Sequence, residues 1–157
     1  MHLCIETGRL AEAEQLQRRA IAIDEKSFGL HHPSVARSLN NLARVLKVAN
    51  RLSEAEPLYR RAVEIDTKNF GPHDSRVAGH LNNLAQLLKA SDRLPEAELL
   101  LRHVVEILAL FTRNTGHRHP HAQDAVVNYV GLLLKMGRSR EQIQAALREI
   151  APDFFQS

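Results

Sequence analysis

The sequence of 157 residues has one cysteine, no tryptophan, few helix breakers and no long apolar run. Because Cys4 has no partner in the chain, no internal disulfide can form and nothing requires an oxidising compartment. Seven glycines and six prolines suit a helical chain with few turns. No segment reaches 18 consecutive apolar residues, and the opening residues lack the regions of a signal peptide. These absences favour a soluble cytoplasmic protein without a membrane partner.

The charge balance is only mildly basic. Lysine and arginine number 21 against 18 acidic residues, which gives a net charge of +3. No run of basic residues is long enough for a nucleic-acid-binding tail. A solvated basic surface is therefore the expected interpretation, and no nucleic-acid partner is predicted.

Two short sequence motifs recur at a fixed interval. Arg-Leu-x-Glu-Ala-Glu begins at Arg9, Arg51 and Arg93, and Leu-Asn-Asn-Leu-Ala begins at Leu39 and Leu81. Each recurrence is 42 residues after the previous one. A period of this size indicates a solenoid of stacked units, none of which can bury its apolar face alone.

A third copy of the unit is more divergent. Leu88-Lys89 corresponds best to Leu134-Lys135, four residues later than the period requires. In this alignment the second Asn of the repeat becomes Tyr129, and the unit is interpreted as a degenerate C-terminal cap. The predicted boundaries are a partial repeat over 1–30, repeats over 31–72 and 73–118, and a cap over 119–157.

Apolar spacing predicts paired antiparallel helices. The first complete pair is expected at about 34–49 and 53–69, joined by a connection of three residues. Ser53 and Glu56 have the spacing of a capping box at the start of the second helix. Small residues, Ala43, Ala55 and Ala62, stand where the paired helices should approach closely.

The chain opens inside a repeat. Residues 2–7 are interpreted as the end of one helix, and the next is expected from about Leu10 to Phe28. This incomplete first repeat should leave apolar surface open to another chain. Phe154 and Phe155, after the helix stop at Pro152, offer a second such surface.

These residues resemble the tetratricopeptide repeat. The small and large positions of its signature match Ala43 and Tyr59 and their neighbours in both complete repeats. The longer period, His32-Pro33 and the Leu-Asn-Asn-Leu-Ala phrase look like the kinesin light chain class. The resemblance implies an all-α, right-handed α-α superhelix whose first helices line a concave groove for an extended peptide or a partner helix.

Polar residues of the first helices that lie off the apolar stripe are the candidate groove residues. In the kinesin light chain class the matching Asn pairs line the peptide groove, which implies the same role for the Asn pairs here. Asparagine both donates and accepts, so a ladder of them can bond any peptide backbone. The alternative is that some of them bond between helices and only hold the stack together. The candidates are Arg37, Asn40, Asn41, Arg44, Lys47, Asn82, Asn83, Gln86, Lys89, Asn128, Tyr129 and Lys135.

Three lysines occupy what this alignment treats as one position. Lys47, Lys89 and Lys135 would form a basic row that favours acidic peptides or a terminal carboxylate. A solvated lysine row without a ligand is the alternative.

The loop His117-x-His119-Pro-His121 raises a metal hypothesis. Alternate histidines can share an ion, but no cysteine and no evident carboxylate completes a tetrahedral set. Metal binding therefore stays a minor alternative, and no cofactor is predicted.

The remaining alternatives are an enzyme and an assembly scaffold. The sequence shows no phosphate loop and no nucleophile with an adjacent base, so no catalytic residue is predicted. A scaffold that self-associates, as a homodimer, through its first repeat or the Phe154 and Phe155 end is the stronger alternative. The main prediction is a protein-interaction module.

Overall fold

The computed structural model describes the backbone of residues 2–152 and the side chains of residues 7–152. Within this range the chain forms seven α-helices and no strands, which confirms the predicted all-α fold. The helices are α1 (His2–Phe28), α2 (Pro33–Val48), α3 (Leu52–Phe70), α4 (Ser75–Ala90), α5 (Leu94–Thr115), α6 (Ala122–Lys135) and α7 (Arg140–Ile150). They belong to two compact units: α1 to α3 up to Gly71, and α4 to α7 from Pro72 onward.

The first unit is built around α2, which lies against both α1 and α3. Val35, Ala36 and Leu39 of α2 pack with Ala62 and Ile65 of α3 in one buried cluster. These positions recur at helical spacing, so a single face of α2 enters the core. The predicted first helix pair is therefore confirmed to within a residue or two at each end.

The small residues predicted at the helix crossings are fully buried. Ala43, Ala55 and Ala62 each have 0% exposure. An alanine leaves room for the neighbouring backbone where a larger side chain would force the helices apart. The structure therefore buries all three of these predicted small residues completely.

In the second unit α5 is the common partner of α4, α6 and α7. Leu101 and Ile107 of α5 and Leu132 of α6 are fully buried. On the surface, the Arg102 guanidinium donates to the Glu149 carboxylate at 3.1 Å and links α5 to α7. This unit buries apolar side chains on both sides of α5, in keeping with its more apolar sequence.

The turns after α2, α4 and α6 share one hydrogen-bonded geometry. The amides of Arg51, Arg93 and Arg138 donate to the carbonyls of the residues five positions earlier, at 2.8, 2.9 and 3.0 Å. The preceding residue has a positive φ in each turn: 60° at Asn50, 60° at Asp92 and 80° at Gly137. This is the Schellman ending of a helix. The second turn follows the first by 42 residues and the third follows the second by 45.

A side-chain hydrogen bond at or just before the start of the same three helices gives the same intervals, although the residue directly before α6 is His121. Side chains of His32, Asp74 and His119 accept a hydrogen bond from the amide two residues later, at 3.1, 2.9 and 3.1 Å. These residues are again 42 and 45 apart. The hydrogen bonds near both ends of α6 therefore align it 45 residues after α4, so the predicted alignment of α6 is wrong by one residue.

Helix α7, the second helix of the last pair, is separated from α5 by a different interval. The residue before α5 is Arg93 and the residue before α7 is Ser139, which are 46 residues apart. Ser139 and Gln142 form a capping box, with the Gln142 amide donating to Ser139 Oγ at 3.2 Å and the Ser139 amide donating to Gln142 Oε1 at 2.9 Å. The turn between α6 and α7 thus contains one extra residue, and this residue caps α7.

The break expected near Gly8 is absent, because α1 is one continuous helix of 27 residues. Continuing the helix costs about 1 kcal/mol for the glycine and keeps every backbone hydrogen bond. The sequence identified the repeat here but misjudged its local structure.

The capping box predicted at Ser53 and Glu56 is also wrong. Helix α3 begins at Leu52, and the residue before it, Arg51, makes no side-chain cap bond. The Arg51 guanidinium instead donates to the carboxylates of Glu54 and Glu14. Because Glu14 lies on α1, this ion-pair group ties the start of α3 to α1.

At the other end, α7 stops at Ile150, before Pro152, as predicted. Phe154 and Phe155 lie outside the described residues. In the described part of the chain, every helix is too short or too polar to cross a bilayer.

Candidate peptide-binding faces

Helix α2 carries a row of amides and cations beside its buried stripe. Arg37 and Arg44 are exposed, and Asn40, Asn41 and Lys47 are half-buried. Partial burial lowers the pKa of the Lys47 ammonium below its usual range. Residues 33–48 include no Asp or Glu, so the row is a positively charged face with hydrogen-bonding amides at its centre.

Helix α4 repeats this chemistry in the second unit. Asn82, Asn83, Gln86 and Lys89 are all half-buried, next to the buried stripe that includes Leu84. Residues 75–90 also contain no acidic residue. Half-burial matters because an amide in a partly dry site makes stronger hydrogen bonds than one in open water.

The corrected interval of 45 residues changes the residues that α6 contributes. Asn128 matches the second Asn of the α4 pair, Asn83, and not the first. Val127 replaces the first Asn, Gly131 replaces Gln86 and Leu134 replaces Lys89. None of these three residues is among the candidates predicted from the sequence. One signal could have found them: His32-Pro33 returns as His119-Pro120 after 87 residues, the sum of the two true intervals.

The prediction that Tyr129 lines a groove is wrong. Tyr129 is 1% exposed and belongs to the core of the second unit. Burial raises the pKa of its hydroxyl. A shift of one residue turns a helical position by about 100°, which moves Tyr129 onto the buried stripe at the position of Leu84.

The same rotation affects Lys135. It is exposed, but it corresponds to Ala90 and not to Lys89. The basic row predicted over three repeats therefore has two equivalent members, Lys47 and Lys89, and the third equivalent position is Leu134.

The amides of α4 and α6 meet directly. Asn128 Nδ2 donates to Asn82 Oδ1 at 3.2 Å. This contact uses one of two donor hydrogens of Asn128 and one of two acceptor sites of Asn82. The contact therefore fits the alternative in which amides bond between helices, and it leaves the second donor hydrogen of Asn128 and the second acceptor site of Asn82 outside this bond.

The histidine loop does not assemble a metal site in the part of the chain that the structure describes. No group of three or more His, Cys, Asp or Glu side chains in that part is arranged to hold an ion. His119 Nδ1 accepts the His121 amide at 3.1 Å, and its ring meets Phe111 edge-on at 4.8 Å. His119 thus caps the turn that opens α6, in line with the role of His32 before α2.

Comparison with known proteins supports the repeat architecture. The sequence model of the tetratricopeptide repeat matches residues 2–68 and 49–110, together more than half of the chain. No curated protein matches the sequence.

Solved structures give the same fold. One is the Q17M variant of a Podosopora anserina protein described as a kinesin light chain with nearly identical TPR-like repeats. It is 25% identical in sequence, and the TM-score is 0.75. The match covers 92% of this chain and 66% of that one. BtubC (BKLC) from P. vanneervenii is 23% identical with a TM-score of 0.76 over 91% of this chain and 56% of that one.

This chain therefore spans about two thirds or less of both structures. Its structural neighbours are kinesin light chain-like repeat proteins, and the tetratricopeptide repeat is a non-catalytic type of scaffold that generally mediates contacts between proteins. The repeated sequence, the paired helices and the match to the family model together show that the chain belongs to the tetratricopeptide repeat family.

Proposed function

We propose that this protein is a non-catalytic interaction module with two faces for an extended peptide or a partner helix, one on α2 in the first unit and one on α4 with α6 in the second. The observation that carries the proposal is the recurrence of half-buried amides at Asn41, Asn83 and Asn128. An amide presented at a repeated position can bond a peptide backbone without regard to its side chains.

The charge of these faces favours an acidic partner. Arg37, Arg44 and Lys47 on α2, and Lys89 on α4, have no acidic residue on their own helices. A cationic face attracts a ligand that carries Asp, Glu or a terminal carboxylate, and this attraction weakens as salt screens it. A cytoplasmic setting completes the proposal, since a chain with one cysteine gains nothing from an oxidising compartment.

The test is a peptide-display selection followed by affinity measurement. Twelve-residue random peptides are selected on the wild-type protein, and the best are measured by calorimetry against N41A/N83A. Loss of the backbone bonds should weaken binding by about tenfold or more. The variant N114A, which removes an exposed amide at the end of α5, is the matched control and should bind as the wild type does. Equal affinities for N41A/N83A and the wild type would contradict the proposal.

A second candidate function is self-association through α1. Leu16 and Ile23 are 58% and 63% exposed, although Ile65, the equivalent of Ile23 in α3, is 2% exposed because α2 covers it. The exposed residues of α1 thus lie at positions that a neighbouring helix covers elsewhere in the repeat. A second copy could supply such a helix.

This candidate is tested by molar mass in solution. Light scattering at high concentration should show a dimer for the wild type and a monomer for L16E/I23E. A wild-type monomer would remove the candidate without affecting the peptide-binding proposal. The other predicted dimer surface, Phe154 and Phe155, lies outside the described residues and is tested in the same way with F154A/F155A.

A further inference from the structure

Helix α6 departs from α4 at three positions that share one face. Val127, Gly131 and Leu134 follow one another at helical spacing of four and three residues, and they occupy the positions of Asn82, Gln86 and Lys89. Val127 is 56% exposed, Leu134 is 59% exposed and Gly131 is also exposed. An amide and a cation are thus replaced by two aliphatic side chains, and the residue between them has no side chain.

The glycine leaves space between the two aliphatic residues. A Cβ placed on Gly131 would meet no atom within 4 Å. Val127 and Leu134 are seven residues apart, which separates them by about 10 Å along the helix. These three residues, named here the α6 notch, thus form an apolar patch with an open position between its two side chains.

The notch lies beside polar groups that can orient a peptide. Asn128 directly follows Val127 and bonds to Asn82 of α4 at 3.2 Å. A peptide whose backbone bonds to this amide pair would carry the next side chain within reach of the notch, because successive residues of an extended chain are about 3.3 Å apart. The polar amides and the apolar notch are therefore parts of one continuous surface.

We propose that the α6 notch of Val127, Gly131 and Leu134 receives one large aliphatic or aromatic side chain of the bound peptide. This inference rests on the proposed function and names the specificity of that same face. The peptide accordingly combines backbone contacts to the amides of α4 and α6 with a single apolar residue at a fixed position.

The size of the notch favours a peptide side chain over a second copy of this chain. A stable interface between proteins buries about 800 Å² on each partner. Two aliphatic side chains supply far less, and exposed polar residues, Asp124 and Lys135, lie beside them on α6. A pocket for one anchor residue is a common element of peptide recognition, whereas a dimer needs a wider apolar area.

The experiment is a selection with a twelve-residue random peptide library, followed by a double-mutant cycle. The variant V127N/L134K gives α6 the residues of α4, and G131Q fills the notch with the side chain found at Gln86. The wild type should select peptides with a large apolar residue at one position, and replacing that residue by Ala should weaken binding by about tenfold. For V127N/L134K and G131Q the same replacement should change affinity by less than about twofold.

The control variant is L99N, which removes an exposed apolar residue from α5 of the same unit. It should retain the wild-type preference. Two results would overturn the role of the notch and leave the proposed function standing. One is that the selected peptides show no preference for an apolar residue. The other is that V127N/L134K keeps the same preference as the wild type. Failure of the wild type to select any peptide would overturn both. A wild-type dimer that V127N/L134K converts to a monomer would show that a second copy uses the surface, and would also overturn the notch.

Discussion

Helices α4 and α6 occupy equivalent places in successive repeats, yet they present different chemistry. The turns that end them are the same, with amide-to-carbonyl distances of 2.9 Å at Arg93 and 3.0 Å at Arg138. The exposed positions differ, since α4 has Asn82 and Lys89 where α6 has Val127 and Leu134. The backbone hydrogen bonds thus preserve the repeat while the surface side chains are free to diverge.

The difference between α4 and α6 depends on how α6 is aligned with α4. A substitution at Tyr129 tests this alignment and should give the largest change in the free energy of unfolding. Because Tyr129 is 1% exposed, Y129A should lower the free energy of unfolding by about 3 to 5 kcal/mol, the usual cost of removing a large buried aromatic residue. N128A, at the neighbouring half-buried position, should cost about 1 kcal/mol. Urea denaturation measures both. Equal costs for the two variants would restore the alignment in which Tyr129 lines a ligand face.

A second pair of variants sharpens the difference in packing. Ala85 of α4 is 0% exposed, and its equivalent in α6 is the half-buried Val130. A85V should overpack its helix crossing and cost about 1 to 3 kcal/mol in the free energy of unfolding. V130A should cost about 1 kcal/mol or less, since the valine is partly in water. If A85V left the free energy of unfolding unchanged and V130A lowered it strongly, then Val130 and not Ala85 would be the tightly packed residue.

The smallest effect is expected near the helix starts, where the Asp74 side chain caps α4 and the His119 side chain accepts the His121 amide in the turn before α6. Burial, with a smaller contribution from the charge of His121, lowers the pKa of His119 from its ordinary 6.5. The unfolded chain therefore binds the proton at a higher pH than the folded chain, and protonation favours unfolding. The stabilisation is complete above about pH 6.5 and is lost as the pH falls through the lowered pKa. H119A should cost about 1 kcal/mol at pH 7.5.

The matched variant is H119D, which introduces the residue found at Asp74. It should keep the cap and flatten the dependence of the melting temperature on pH between 7.5 and 5. If H119D and the wild type lose stability in parallel over this range, the cap does not cause the dependence.

The sequence predicted the helix pairs because their cores repeat without interruption. Leu39, Ala43 and Leu46 recur 42 residues later, and each is buried in the structure. The candidate face of α2 follows from that pattern, since residues off a buried stripe must lie toward solvent. For α2 and α4, therefore, periodicity alone was enough to select the candidate residues.

The face of α6 could not be predicted in the same way. Its core positions changed size, with Tyr129 where α4 has Leu84, so the apolar pattern fitted two alignments. Because Leu134-Lys135 has the same residues as Leu88-Lys89, matching these two dipeptides favoured the wrong alignment, with an interval of 46 residues. The backbone bonds of the turns, which depend little on side-chain identity, distinguish the intervals of 45 and 46 residues, and the return of His32-Pro33 as His119-Pro120 is the sequence signal that agrees with them.

The most direct test of the account is nuclear magnetic resonance of the side-chain amides during titration with a selected peptide. If the repeat amides bind the peptide, the signals of Asn41, Asn83 and Asn128 move in proportion to the bound fraction, while those of Asn114 and of Gln144 on α7 do not. Binding that moves Asn114 or Gln144 and leaves the three repeat asparagines unchanged would contradict it.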